Sequence, residues 1–259
     1  MPGSASRGSE PRRGELRVIP LTGLPELEQG DDLGALLAEA AARAGGLEPG
    51  DVVVVAQKAV SKVEGRVVSL ADVEPGARAR ELAGEAADPR HVEVILREAR
   101  AVVRARPPLV IAETRHGFVC ASAGVDASNA KGPGTLVLLP LDPDASAARL
   151  RERLRELTGV APGVVVSDSF GRAWRQGTTD VALGLAGVAA LRDLRGARDA
   201  AGYELRTTQI AVADELAAAA ELVMGKTAGI PAAVVRGADA AGDGRGADLL
   251  IPRERDLFR

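Results

Sequence analysis

Unbroken apolar runs and helical stripes alternate along this chain, and each change of period marks an element. Asp51–Ala56 reads DVVVVA, a β-branched run that predicts a buried strand. The same reading gives strands at Leu16–Pro20, Gly65–Leu70, Thr135–Leu139, Gly163–Val166 and Ala232–Val235. Leu109–Ala112 and Phe118–Ala121 pair as a hairpin about Arg115-His116-Gly117. Helical spacing of Leu33, Leu36, Leu37, Ala40, Ala41 and Ala44 predicts a helix capped by Asp31 or Asp32. Further helices are expected near Pro75–Ala87, over Pro89–Val103 behind Asp88, over Pro143–Leu157 and over Ala213–Met224. Thr178–Leu191 fits helix or strand, and the Gly/Asp-rich stretch Gly237–Gly246 reads as mobile. Strands and helices mix without a strict βαβ rhythm, so the fold class expected is α+β, with mixed sheets and packed helices.

Composition narrows this picture. The 259 residues are 46% hydrophobic but only 2% aromatic, so a sizeable core must be built from Val, Leu, Ile and Ala. A net charge of -3 makes no electrostatic case for nucleic-acid binding. No apolar stretch has the length of a membrane span. Residues 1–14 lack the apolar segment of a secretory signal and read as a disordered leader to a domain over 15–259. Cys120 is the only cysteine, which excludes an intrachain disulfide and fits a reducing cytoplasm. Four lysines accompany 29 arginines, so Lys58 and Lys62, five residues apart counted inclusively, stand out.

Three polar segments follow predicted strands: Gln57-Lys58 with Lys62, Asp126 with Asn129, and Asp168-Ser169 with Arg172 and Arg175. Hard divalent cations take oxygen ligands and are commonly held by one or two carboxylates plus substrate phosphates. Asp126 and Asp168 can supply those carboxylates, Ser169 a hydroxyl, and the lysines mobile positive charge for a phosphate. The alternative is that each Asp caps a turn. Two motif echoes fail. Gly225-Lys226-Thr227 lacks the upstream glycine of a P-loop, because Ala220 stands there. Ser128-x-x-Lys131 runs into Gly132-Pro133-Gly134, which a helix would not tolerate. A serine acyl-enzyme hydrolase acting through Ser128, or a non-catalytic nucleotide-binding protein, are the competing classes.

Taken together, six segments resemble the coenzyme F420:L-glutamate ligase (F420-0:gamma-glutamyl ligase) family. They are PLTGLPEL at Pro20–Leu27, DVVVVAQKAVSKVEGR at Asp51–Arg66, GFVCASAGVDASN at Gly117–Asn129, LLPLDPDASA at Leu138–Ala147, VVSDSFGRAWRQGTTDVALGLAG at Val165–Gly187, and MGKTAGIPAAVVRG at Met224–Gly237. The resemblance implies a family-specific α+β fold assembled as an intertwined homodimer. It implies a cytoplasmic enzyme that joins L-glutamate to F420-0 or its dehydro form, using GTP and two Mg2+ or Mn2+ ions per site, with room for K+. It implies an acyl phosphate route, with a further γ-linked glutamate added by some members. The C-terminal flavin reductase-like domain fused to some relatives is not expected within this sequence.

By the same resemblance, Leu21, Thr22, Gly23, Leu24, Gln57, Lys58, Lys62, Asn129, Met224, Gly225 and Lys226 would meet GTP. Asp126 and Asp168 would hold the first metal and Ser169 the second. Some members carry Glu or Gln where this chain has Lys226, so the second metal would need another oxygen, since a protonated lysine is no ligand. Lys62, Asp168, Arg172 and Arg175 are the expected catalytic set, the two arginines as partners for substrate carboxylates or phosphate. Trp174 is expected to pack, with stacking on a deazaflavin as the alternative.

Overall fold

A computed structural model describes residues 14–128, 130 and 132–258. In chain order the elements are β1 (Arg17–Pro20), α1 (Leu33–Arg43), β2 (Val52–Ala56), α2 (Gln57–Val63), β3 (Val67–Ser69), α3 (Ala77–Ala83), α4 (Pro89–Glu98), β4 (Ala99–Arg106) and β5 (Leu109–Thr114). They continue with β6 (Val119–Ala121), β7 (Thr135–Val137), α5 (Pro143–Thr158), β8 (Gly163–Arg172), β9 (Arg175–Ala186), β10 (Arg192–Asp193), β11 (Gln209–Ile210), α6 (Val212–Met224) and β12 (Ala232–Arg236).

Five strands form the central sheet in the order β1-β12-β2-β8-β9, with β2 and β8 parallel and the other neighbours antiparallel. Both faces are covered, which is why Val52–Val55 is apolar throughout rather than alternating. Val53, Val55, Val164 and Val166 pack on α1 and α5 through Leu37, Leu150 and Leu154. Val52, Val54, Val165 and Val235 pack on α6 through Leu216, Ala217 and Ala220. At the end of β2 and β12 remote from α2, Arg236 makes a bidentate ion pair with the buried Asp51, at 2.8 and 2.7 Å. A second lobe joins the β4-β5-β6 sheet, the β3–β7 pair and α4 around Val94, Ile95, Val110, Leu136 and Leu138.

Asp32 caps α1 by accepting from Ala35 N, Asp88 caps α4 through Arg90 N, and Asp142 caps α5 through Ala145 N. Three expectations change. The helix expected to reach Val103 ends at Glu98, and the chain continues as the edge strand β4. Its stripe of Val92, Ile95, Leu96 and Ala99 runs into Val102-Val103, where β-branched residues suit a strand. The strand from Gly163 extends to Arg172 and returns as β9, so 163–186 is one long hairpin. Within it Val166 pairs with Gly184 while Ser167 pairs with Ala182, leaving Leu183 as an extra, bulged residue.

The third change concerns 237–246, which is docked rather than loose. Gly244 N donates to Val188 O, and Gly246 N donates to the Asp144 carboxylate, which also accepts from Leu185 N. A Cβ on Gly246 would lie 2.0 Å from the Leu183 carbonyl oxygen. These glycines permit close backbone approach, a use that composition cannot distinguish from flexibility. Residues 1–13 of the expected leader lie outside the described residues. Among the described residues no helix is long and apolar enough to cross a membrane.

Candidate functional site

The parallel pairing of β2 with β8 stops at Ala56–Ser167, where β2 ends and the continuing β8 turns polar. A cavity of about 440 Å3 opens at that point, lined by Gln57, Lys58 and Lys62 from α2, by Ser167, Asp168 and Ser169 from β8, and by Asp180 from β9. The turn Pro25–Leu27 closes one side, and Glu221, Met224, Gly225, Lys226 and Gly229–Pro231 close another. Thus segments far apart in sequence meet because β2 gives way to α2 beside the point where β8 turns polar.

Lys58 ties the two lobes. Its Nζ lies 2.6 Å from Asp126 Oδ2 and donates to Ser128 Oγ at 2.6 Å. Asp126 is fixed from behind, because its backbone exchanges both hydrogen bonds with Val137. It also accepts from Ser128 N at 2.7 Å and Ser128 Oγ at 3.0 Å. Burial raises the Asp126 carboxyl, but the hydrogen bonds from Lys58 and Ser128 outweigh it and hold the group below the usual aspartate range. Lys62 pairs with Glu26 of the turn opposite.

Asp168 behaves differently. Burial pushes its carboxyl up to about 7, and the charges of Asp126 and Asp180 act in the same direction. The Ser169 N–H and the charge of Lys58 oppose the shift without cancelling it. A carboxylate left so short of positive charge, beside a cavity, suits an incoming cation. Gln57 is buried; its Oε1 accepts from Ser61 Oγ at 2.9 Å, and its Nε2 has no protein partner. That orphaned donor in the cavity wall calls for a ligand acceptor.

The donor set fits Mg2+ or Mn2+. Carboxylates of Asp126 and Asp168 and the Ser169 hydroxyl are hard oxygen ligands. Among the described residues no three His, Cys, Asp or Glu side chains group to hold a metal by themselves. Of the three oxygen ligands, Asp168 and Ser169 line the cavity, while Asp126 is joined to it through Lys58.

Other expected residues fall in different places. Leu21 is fully buried in the core, and Thr22 and Gly23 offer their carbonyls to Arg43; none of Leu21–Leu24 lines the cavity, while the adjoining Pro25–Leu27 does. Asn129 lies outside the described residues. Gly225, with φ of 58°, follows the end of α6, so Gly225-Lys226-Thr227 ends a helix where a P-loop would open one. Arg172 and Arg175 stand at the exposed end of the β8–β9 hairpin, where Arg172 donates to Gln176 O, and neither lines the cavity. Trp174, 82% exposed at φ of 56°, packs on Phe258 with ring centroids 4.9 Å apart. Asp180 was missed by sequence reasoning. Its only signal is its place in TTDVALG, whose register against β8 depends on the bulge at Leu183.

Residues 23–237 match the family model of the F420-0:Gamma-glutamyl ligases. The chain is 47% identical over 251 residues to a coenzyme F420:L-glutamate ligase of Methanopyrus kandleri, covering 94% of this chain and 98% of that protein. It is 45% identical over 217 residues to the protein of that name from Methanocaldococcus jannaschii, covering 82% and 86%. A third, from Methanothermobacter thermautotrophicus, is 43% identical over 250 residues, covering 94% and 99%.

Proposed function

Because the chain belongs to the F420-0:gamma-glutamyl ligase family, we propose that it joins L-glutamate to coenzyme F420-0 at the expense of GTP. The observation that carries this is the meeting of Lys58 and Lys62 with Asp168 and Ser169 on one cavity. Such a wall offers cations to phosphate and hard oxygens to a divalent metal.

In the reaction proposed, a carboxylate oxygen of F420-0 attacks the γ-phosphorus of GTP, forming an acyl phosphate and releasing GDP. The amine of L-glutamate then attacks the acyl carbon and loses a proton, phosphate leaves, and an amide remains. A second, γ-linked glutamate would arise by the same two steps. Mg2+ or Mn2+, held by Asp126, Asp168 and Ser169, would supply charge neutralisation on the phosphoryl group. Lys58 and Lys62 would bind phosphate oxygens, exchanging their contacts with Asp126 and Glu26 for the nucleotide. The Gln57 amide would supply a fixed donor from the cavity wall. Arg172 and Arg175, remote from this cavity, would serve the site only across a homodimer.

Incubation with F420-0, L-glutamate, GTP and Mn2+, followed by mass spectrometry, tests the proposal. A glutamate-sized mass addition with release of GDP is expected. Neither addition nor GDP would overturn it, and GTP binding without turnover would point to a non-catalytic nucleotide-binding protein.

A further inference from the structure

Asp180 is a charged group of the cavity wall to which the proposed reaction gives no role. It is only 5% exposed. Among the described residues no lysine or arginine pairs with it. Its two oxygens are instead divided between two hydroxyls: Ser167 Oγ donates to Oδ2 at 3.0 Å, and Ser169 Oγ donates to Oδ1 at 2.6 Å.

The geometry gives that charge a purpose. Ser169 and Asp180 face each other across β8 and β9. Ser169 commits its single hydroxyl proton to Asp180, so the oxygen lone pairs remain for an acceptor's role. We propose that Asp180 is a positioning residue, which orients the Ser169 hydroxyl so that its oxygen, rather than its proton, is presented to the divalent cation. The pairing also brings a full negative charge to within one hydrogen bond of that oxygen, as outer partners of metal ligands commonly do. With Lys226 in the loop opposite, Ser169 backed by Asp180 adds a neutral oxygen beside the Asp168 carboxylate on the β8–β9 side of this cavity. The inference rests on the ligase function proposed above.

Asp180→Asn keeps the size of the side chain but turns one oxygen into a donor, which competes with a serine proton. Mn2+ affinity of the full chain, with GTP present and no other substrate, is read by electron paramagnetic resonance. Outer-partner losses of this kind weaken metal binding about 10–100-fold, and that loss is expected here. Ser169→Ala should bind Mn2+ as weakly as Asp180→Asn, and the double variant no more weakly than either, because Asp180 acts through Ser169. Ser167→Ala should leave Mn2+ affinity near that of the parent. A far-ultraviolet spectrum and melting temperature identify any variant that has merely unfolded, and Asp180→Ser then serves as the second substitution. Parent-like Mn2+ affinity in a folded Asp180→Asn, or fully additive losses in the double variant, would overturn the inference and leave the ligase proposal standing. A parent protein that binds no Mn2+ with GTP would overturn both.

Discussion

Replacing Lys58 with methionine should move metal and nucleotide affinity in opposite directions. The ammonium lies 2.6 Å from Asp126 Oδ2, with 14% of the lysine side chain and 33% of the aspartate side chain exposed. Methionine keeps the unbranched stem and removes the charge. At such a separation a pair of unit charges is worth about 1.6 kcal/mol in bulk water and about 6 kcal/mol at an effective dielectric of 20. The exposure of Asp126 places the net value near the lower figure. A cation arriving at Asp126 must displace the ammonium, so its removal should tighten Mn2+ binding to the nucleotide-free protein by about tenfold, the equivalent of about 1.4 kcal/mol. GTP loses a charge-assisted hydrogen bond in the same variant. Its affinity should fall by about 1.5–3 kcal/mol, or about 10–150-fold. Electron paramagnetic resonance of free Mn2+ reads the first number, and calorimetric titration with GTP reads the second. An Mn2+ affinity equal to or below that of the parent would refute the competition at Asp126.

Asp168 gives a pH test. Its carboxyl sits at about 7 in the folded protein against an ordinary 3.8. Between those values the unfolded chain has lost a proton that the folded chain retains, so stability without ligands falls as pH rises from about 4 to about 7. Asp168→Asn should flatten that part of a melting-temperature profile, and an unchanged slope would sink the assignment. Arg236→Met leaves the buried Asp51 without its cation and should cost about 3–5 kcal/mol in urea unfolding. Because the pair pins the end of β2 remote from Lys58, Mn2+ affinity should persist; a cost below about 1 kcal/mol would show that the pin bears little strain. Gly246→Ala would press a Cβ against the Leu183 carbonyl, costing about 1–3 kcal/mol or more. A variant as stable as the parent would mean that 237–246 is not docked in this way.

The central strands and the helix caps were legible because they depend on local facts. A β-branched run such as Val52–Val55 can hardly be anything but a buried strand, and Asp32 and Asp88 each sit directly before a helical stripe. Lys58, Lys62, Asp168 and Ser169 were legible as a group because polar residues directly after buried strands must emerge at one edge of the sheet. What escaped depends on pairing. Val102-Val103 read as the tail of a helix, because nothing local announces that β5 waits to pair with Val102 and Arg104 on either side of an irregularity at Val103. The glycines of 237–246 read as loose, because the backbone they approach is some sixty residues earlier. Asp180 escaped for the same reason: its meaning lies entirely in the residue across the ladder.

The bulge at Leu183 has an evolutionary consequence. Were the β8–β9 ladder to run straight on from the Val166–Gly184 pair, Val181 would stand opposite Ser169 and Asp180 opposite Phe170. The site is therefore keyed to one supernumerary residue, which Gly246 and the second lobe's Phe118 and Leu139 hold in place. Insertions or deletions between Leu183 and Thr179 should survive only when matched by one of equal size between Ser167 and Phe170. Beyond the second irregularity, between Gly171 and Arg172, the hairpin can lengthen or shorten without disturbing the chemistry. Lineages descended from a common ancestor should thus vary freely in the reach of this arm while keeping its inner half at constant length.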